Sequence, residues 1–271
     1  APGEMPPQPM TLYRRSLAVL IGVDAYDRMP ALHAAESDVR ELGRRLMARG
    51  FEVRTLLGAD ATRERIAGVL GDELHALAQK DDRVLIYFAG HGASVGEGDA
   101  KVGYLMPAAA DPARPAATGI AMTEMVRWFG GYRARHVLLL ADACYTGLAL
   151  STRAAGLQPA MERYLEAITS RRARIALVAG GEGEQANEWV DEGGTRGLFT
   201  HFVLQALDGA ADVNRDCLIT SDEIIAFVRS EVPLAAQRRW GVQQHPQSGR
   251  SGEGDFIFLT HPGGSEKGCA T

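Results

Sequence analysis

Two aliphatic runs constrain this chain more than anything else in it: Val84-Leu85-Ile86-Tyr87-Phe88 and Val137-Leu138-Leu139-Leu140. Neither alternates polar with apolar residues, so each reads as a strand buried on both faces of a helix-covered parallel sheet. Each then breaks into small and polar residues, the first at Ala89-Gly90-His91-Gly92, the second at Ala141-Asp142-Ala143-Cys144-Tyr145-Thr146-Gly147. In open α/β sheets, chemistry collects at the carboxyl ends of the strands. A strand-end cysteine taken alone is more often packing. A histidine flanked by glycines is different, because glycines let the backbone approach a substrate and expose its N–H groups. From His91 to Cys144 is 53 residues, enough for one helical crossover between parallel strands. Both side chains would then meet at one sheet edge.

The rest of the chain keeps the same rhythm. Leu17 to Val23 reads as a first buried strand, followed by Asp24-Ala25-Tyr26. A helix is predicted over Ala35 to Arg49, a strand over Phe51 to Leu57, and a helix over Arg63 to Gln79. After the histidine strand come a loop of glycine and charge, Gly92 to Lys101, and an irregular Ala- and Pro-rich excursion, Gly103 to Ile120. Thr123 to Gly130 supplies the crossover helix. Beyond the cysteine, Ile175 to Val178 is a strand, helices run from Gly197 to Leu207 and from Ser221 to Ser230, and Phe256 to Leu259 closes the sheet at an edge. Alternating strands and helices predict a mainly parallel sheet covered on both faces.

An aliphatic strand ending in His91-Gly92, then one ending in Asp142-Ala143-Cys144-Tyr145-Thr146-Gly147, resembles the caspase-like cysteine peptidases, whose histidine lies about 50 residues before the cysteine. The caspase signature has glutamine two residues before the cysteine. Asp142 stands there instead, which is the pattern of the metacaspase and bacterial orthocaspase branch. The resemblance spans roughly residues 15–259. It implies a caspase–hemoglobinase fold: a mainly parallel six-stranded sheet with helices on both faces. It also implies a peptidase domain over 13–262, with a large-subunit-like part (13–150), a linker (151–174) and a small-subunit-like part (175–262). Residues 1–12 and 263–271 are then flexible ends.

Chemistry follows from the residue types. Cys144 is the nucleophile, active as its thiolate, and His91 takes the thiol proton and returns it to the leaving amine. The resemblance implies that the backbone N–H groups of Gly92 and Cys144 hold the oxyanion, and that a dyad suffices without a third side chain. Asp142 has two readings: a cap or ion-pair partner for the following loop, or the floor of the pocket for the side chain before the scissile bond. A carboxylate there favours Arg or Lys and repels Asp, a preference the metacaspase branch also implies. Asp24 is a second candidate for that pocket, and Glu182 and Glu184 are weaker ones. The arginines of the stretch Ser151 to Arg174 mark either a site of self-processing or a solvated charged loop. The competing class of function is a catalytically silent scaffold, and a further enzymatic one is acyl transfer.

No cofactor is required by this chemistry. Asp212, Asn214, Asp216, Thr220 and Glu223 match an EF-hand loop at five positions, so calcium is possible, but Cys217 replaces the glycine of the sharp turn. Thr220 and Glu223 equally form a capping box. Expected partners are protein or peptide substrates with Arg or Lys before the cut, with an upstream activator possible. A formal net charge of −5 argues against nucleic acid. No run approaches the roughly 20 apolar residues of a membrane span. Three cysteines make no disulfide framework and fit a reducing compartment, so a cytoplasmic protein is expected, and the resemblance to the metacaspase branch implies a monomer.

Overall fold

The computed structural model describes residues 12–97, 100–143, 170–181, 183–191 and 194–260. Its centre is a six-stranded sheet. In chain order the strands are β1 (Ser16–Gly22), β2 (Glu52–Leu57), β3 (Arg83–Ala89), β7 (His136–Asp142), β8 (Ala173–Val178) and β12 (Gln247–Gly252), arranged β12-β8-β7-β3-β1-β2. All pairings are parallel except β12 with β8. β3 and β7 are buried at every residue, as their unbroken apolar runs require.

Helices cover both faces. On one, α1 (Ala35–Ala48), α6 (Leu198–Gln205) and α7 (Ser221–Trp240) bury Val39, Leu42, Leu46, Phe199, Val203 and Val228 against the sheet. On the other, α2 (Arg63–Ala67) passes through a π-helical turn, Gly68–Glu73, into α3 (Leu74–Leu77) and packs beside α5 (Met122–Gly131). The strand order reverses at β1, which has β2 on one side and β3 on the other, so the loops after β1 and β3 diverge above a topological switch point.

Several elements differ from expectation. The described residues between Gly92 and Ala121 include a small antiparallel sheet of β4 (Gly92–Val95), β5 (Val102–Leu105) and β6 (Ile120–Ala121), with a helical turn α4 (Pro115–Thr118). The closing strand β13 (Ile257–Leu259) does not join the central sheet; it pairs with β11 (Leu218–Thr220). The sixth place goes to β12, Gln-Ser-Gly-Arg-Ser-Gly, which has no strand propensity and is held by the open edge of β8. A second hairpin, β9 (Glu188–Asp191) and β10 (Gly194–Gly197), precedes α6. α7 runs ten residues past Ser230, through Pro233, to a left-handed cap at Gly241. Cys217 is disulfide-bonded, where reduced thiols were expected.

Beneath the sheet, Arg83 is buried with its guanidinium 4.6 Å from the Tyr13 ring and 4.2 Å from that of Phe51. Its Nε donates to Ser16 Oγ at 2.8 Å and another N–H donates to the Ile257 carbonyl, so one buried cation ties the first strand to the last.

Candidate active site

The register of β3 and β7 sets the site. Ala89 lies opposite Asp142, and Gly90 N–H donates to the Asp142 carbonyl at 3.2 Å, so both runs leave the sheet together. A Cβ on Gly90 would lie 2.6 Å from Tyr26 Oη, which makes glycine necessary there. Tyr26 comes from the loop after β1. Its hydroxyl accepts the His91 N–H at 3.0 Å and donates to the Met106 carbonyl at 3.0 Å, and its ring lies 4.9 Å from the imidazole. Burial pushes its phenol well above the ordinary range, so the hydroxyl stays protonated.

From the same loop, the Pro30 carbonyl lies 2.8 Å from His91 Nε2. A carbonyl oxygen only accepts, so Nε2 carries the imidazole proton and Nδ1 keeps a lone pair for proton abstraction. The orienting third group is thus a main-chain oxygen, which leaves no mark in a sequence. Tyr26→Phe removes both hydroxyl bonds and keeps the ring. It is expected to lower kcat by roughly tenfold, through loss of hydrogen bonds that hold the base, with KM nearly unchanged and the melting temperature lower by a few degrees, because the His91 N–H and the Met106 carbonyl lose their shared partner. Steady-state kinetics on a basic peptide would check this; a change confined to KM would refute it.

The described chain stops at Ala143, so the nucleophile assigned to Cys144, and its backbone amide as an oxyanion donor, lie outside the described residues. Gly92, the other donor candidate, opens β4 and pairs with Leu105.

Beside His91 opens a cavity of about 290 Å³ whose walls include Pro30, Asp38, His91, Asp142, Asn187 and Glu188. Asp142 is 7% exposed and accepts from Thr200 Oγ1 at 2.6 Å and Thr200 N at 3.2 Å, in the first turn of α6. It therefore caps a helix and faces the cavity at once. Asp38, in the first turn of α1, is 2% exposed and accepts from Gly197 N at 2.7 Å. A Cβ on Gly197 would collide with Asp142 Oδ2 and lie 3.1 Å from Asp38 Oδ2, so the two carboxylates face each other across a residue that must be glycine. Glu188 accepts the N–H groups of His33 at 2.7 Å and Ala34 at 3.0 Å. Asp24 is committed to the start of α1, accepting from Ala35 N at 2.8 Å and Glu36 N at 3.2 Å, and is not among the cavity's walls.

Burial dominates the electrostatics. It pushes the Asp38 carboxyl up to about 8, helped by neighbouring Asp142. It pushes Asp142 up to about 6, against the pull of the Thr200 hydrogen bonds. Asp24 is raised by burial as well. Acids perturbed by burial and by each other on the walls of a cleft mark a candidate functional site. Asp38 and Glu188 were not anticipated. In sequence Asp38 is one acid among many in the first turn of a helix, and Glu188 belongs to a hairpin without a strand signal.

Other candidates fall elsewhere. Glu182 lies outside the described residues, and Glu184 turns away to pair with His245 at 2.5 Å. His136 is buried and satisfied, 2.7 Å from Tyr13 Oη and 2.8 Å from the Arg171 carbonyl. Trp189 stacks on His201 at 5.0 Å and carries the Arg239 guanidinium at 4.4 Å. In the loop after α6, Asp212 accepts from the amides of Asp216 and Cys217, Asp216 accepts from Leu218 N, and Thr220 with Glu223 forms the capping box. Among the described residues no group of three or more His, Cys, Asp or Glu is placed to hold a metal ion.

Comparison with known proteins agrees with this architecture. Residues 15–256 match the family model of the caspase domain. Protein GSU0716 from Geobacter sulfurreducens is similar in fold, with a TM-score of 0.56 and 18% identity over 88% of this chain and 93% of that one. The structure of pro-sf-caspase-1 gives 0.57 and 16%, covering 87% and 91%. The Drosophila initiator caspase Dronc gives 0.56 and 10%, covering 93% and 85%. No curated protein matches the chain.

Proposed function

This chain belongs to the caspase-domain family, and we propose that it is a cysteine endopeptidase that uses His91 and Cys144 to cleave proteins after Arg or Lys. The family supports cysteine peptidase activity in general. The observation that carries the finer reading is the cavity beside His91, whose walls bring together Asp38, Asp142 and Glu188. An arginine or lysine side chain entering it exchanges bulk water for carboxylates, whereas an aspartate meets like charge in a poorly solvated space.

In this reading, His91 Nδ1 takes the proton of the Cys144 thiol, and the thiolate attacks the carbonyl carbon of the basic residue itself. The N–H groups of Gly92 and Cys144 receive the developing oxyanion. His91 then protonates the leaving amine, and water releases the acyl group by the reverse sequence. Self-processing would use the arginines between β7 and β8. Arg172 and, in β8, Arg174 donate to the Tyr132 carbonyl at 2.8 Å and 2.7 Å, and Arg171 pairs with Glu253; Arg153 and Arg163 lie outside the described residues.

The test is hydrolysis of matched fluorogenic peptides ending in Arg, Lys or Asp, by the wild type and Cys144→Ala, with and without calcium. Cleavage after Arg and Lys that is lost in Cys144→Ala is the expected result. Preference for Asp would discard the acidic pocket. Absence of turnover together with no labelling of Cys144 by an Arg-based covalent probe would favour a silent scaffold.

A further inference from the structure

Gln244 is a glutamine buried completely in the short loop between α7 and β12, although residues 241–243 and His245 around it are exposed. A buried amide costs desolvation unless every polar atom is matched, and here the oxygen is matched by a residue of the cavity wall and the nitrogen by the end of β8. Its Oε1 accepts from Asn187 N at 3.1 Å and Asn187 Nδ2 at 2.9 Å, while its Nε2 donates to the Ala179 carbonyl at 3.1 Å. Ala179 is the first residue past β8, on the same sheet edge as Asp142, and Asn187 lines the cavity beside Glu188. The next residue, His245, grips the same loop through Glu184, whose carboxylate also accepts the N–H of Gly181 at 2.8 Å. Nothing else in the 241–246 segment offers so many bonds to another loop.

We propose that Gln244 is a specificity-positioning residue: its side chain spans from the end of β8 to Asn187 and thereby fixes the wall that presents Glu188 to the incoming basic side chain. The proposal rests on reading the cavity as the pocket for the residue before the scissile bond. Gln244 touches neither His91 nor the reacting atoms, so it acts on selection and not on proton transfer. A leucine there fills similar space, takes the acceptor from Asn187 N and leaves Asn187 Nδ2 only the Gln185 carbonyl of its own loop, which frees the wall to shift.

The experiment compares the wild type, Gln244→Leu and Gln244→Glu by three readouts. The first is kcat and KM on peptides ending in Arg, Lys, Gln or Asp. The second is the rate at which iodoacetamide, a small neutral reagent, alkylates Cys144. The third is hydrogen exchange across 183–191 without substrate. Gln244→Leu is expected to raise KM for the Arg peptide roughly tenfold, the effect of one lost buried hydrogen-bond set, with kcat and alkylation unchanged and exchange at Asn187 faster. Gln244→Glu keeps an acceptor for Asn187 and should fall between the two, which also tests the proposal should the leucine variant not fold. Faster exchange with unchanged KM and unchanged selectivity would overturn it, as would parallel loss of kcat and alkylation. If the wild type prefers a residue other than Arg or Lys, the basic-pocket reading fails by itself; the role of Gln244 then stands or falls on whether its variants alter that other preference.

Discussion

His91→Ala is expected to lower kcat/KM on Arg peptides by about three to four orders of magnitude, the usual contribution of a positioned acid–base group together with the nucleophile it activates. The size of the effect follows from the tautomer. With Nε2 bonded to the Pro30 carbonyl at 2.8 Å, the imidazole presents one basic nitrogen, and no other side chain among the cavity's walls offers a neutral base at that edge of the sheet. Folding should survive the change. The anchors of this segment are main-chain bonds, Gly90 N to the Asp142 carbonyl at 3.2 Å and Met106 N to the His91 carbonyl at 3.0 Å, and alanine keeps both. A melting temperature near that of the wild type, with turnover lost, is therefore the predicted pair of observations. Cys144→Ala should lose as much, and the double variant no more than either single one, because the two groups act as a unit. Independent, additive losses would mean that His91 is not the base of Cys144.

The buried runs of β3 and β7 are legible because a strand covered on both faces has no alternative to continuous aliphatic sequence, and their abrupt ends mark the sheet edge where His91 stands. Elements that owe their existence to partners were not legible. β12 has neither β-branched nor aromatic residues and forms because β8 offers it unpaired backbone groups. Phe256 to Leu259 looks like a sheet strand by composition, but its phenylalanines are spent on the aromatic cluster around Arg83, and it pairs with β11. The site divides in the same way. Asp142 could be found because it precedes Cys144 on a recognisable strand. Asp38 could not, because only the approach of Gly197 brings the start of α1 to the end of β7. Pro30 was invisible for a different reason: it contributes a carbonyl oxygen that every residue carries.

Asp142→Asn should separate what the cavity does for selectivity from what it costs in stability. Asparagine keeps an oxygen for the Thr200 bonds at 2.6 Å and 3.2 Å while removing the charge. A buried opposite charge beside a guanidinium accounts for roughly a hundredfold in recognition, so kcat/KM for Arg peptides should fall by about that factor, while alkylation of Cys144 by a neutral reagent stays as it was. The pH dependence has a definite sign. The carboxyls of Asp142 and Asp38 lie at about 6 and about 8, so below pH 6 a cationic side chain meets neutral acids at these two positions. Affinity for the basic side chain should therefore climb between pH 6 and 8, with protons released on binding, and Asp142→Asn should flatten the lower part of that rise. Stability runs the other way. A carboxyl whose pKa is higher in the folded than in the unfolded chain favours the fold at low pH, and that contribution is lost as pH rises through the folded value. At pH 8 the wild type holds a poorly solvated Asp142 carboxylate that the variant lacks, so Asp142→Asn should melt higher by about 2–4 °C, and the gap should narrow as pH falls below about 6 and close near the ordinary carboxyl value. A variant that is less stable at pH 8, or that keeps its Arg preference, would show that Asp142 serves only to cap α6.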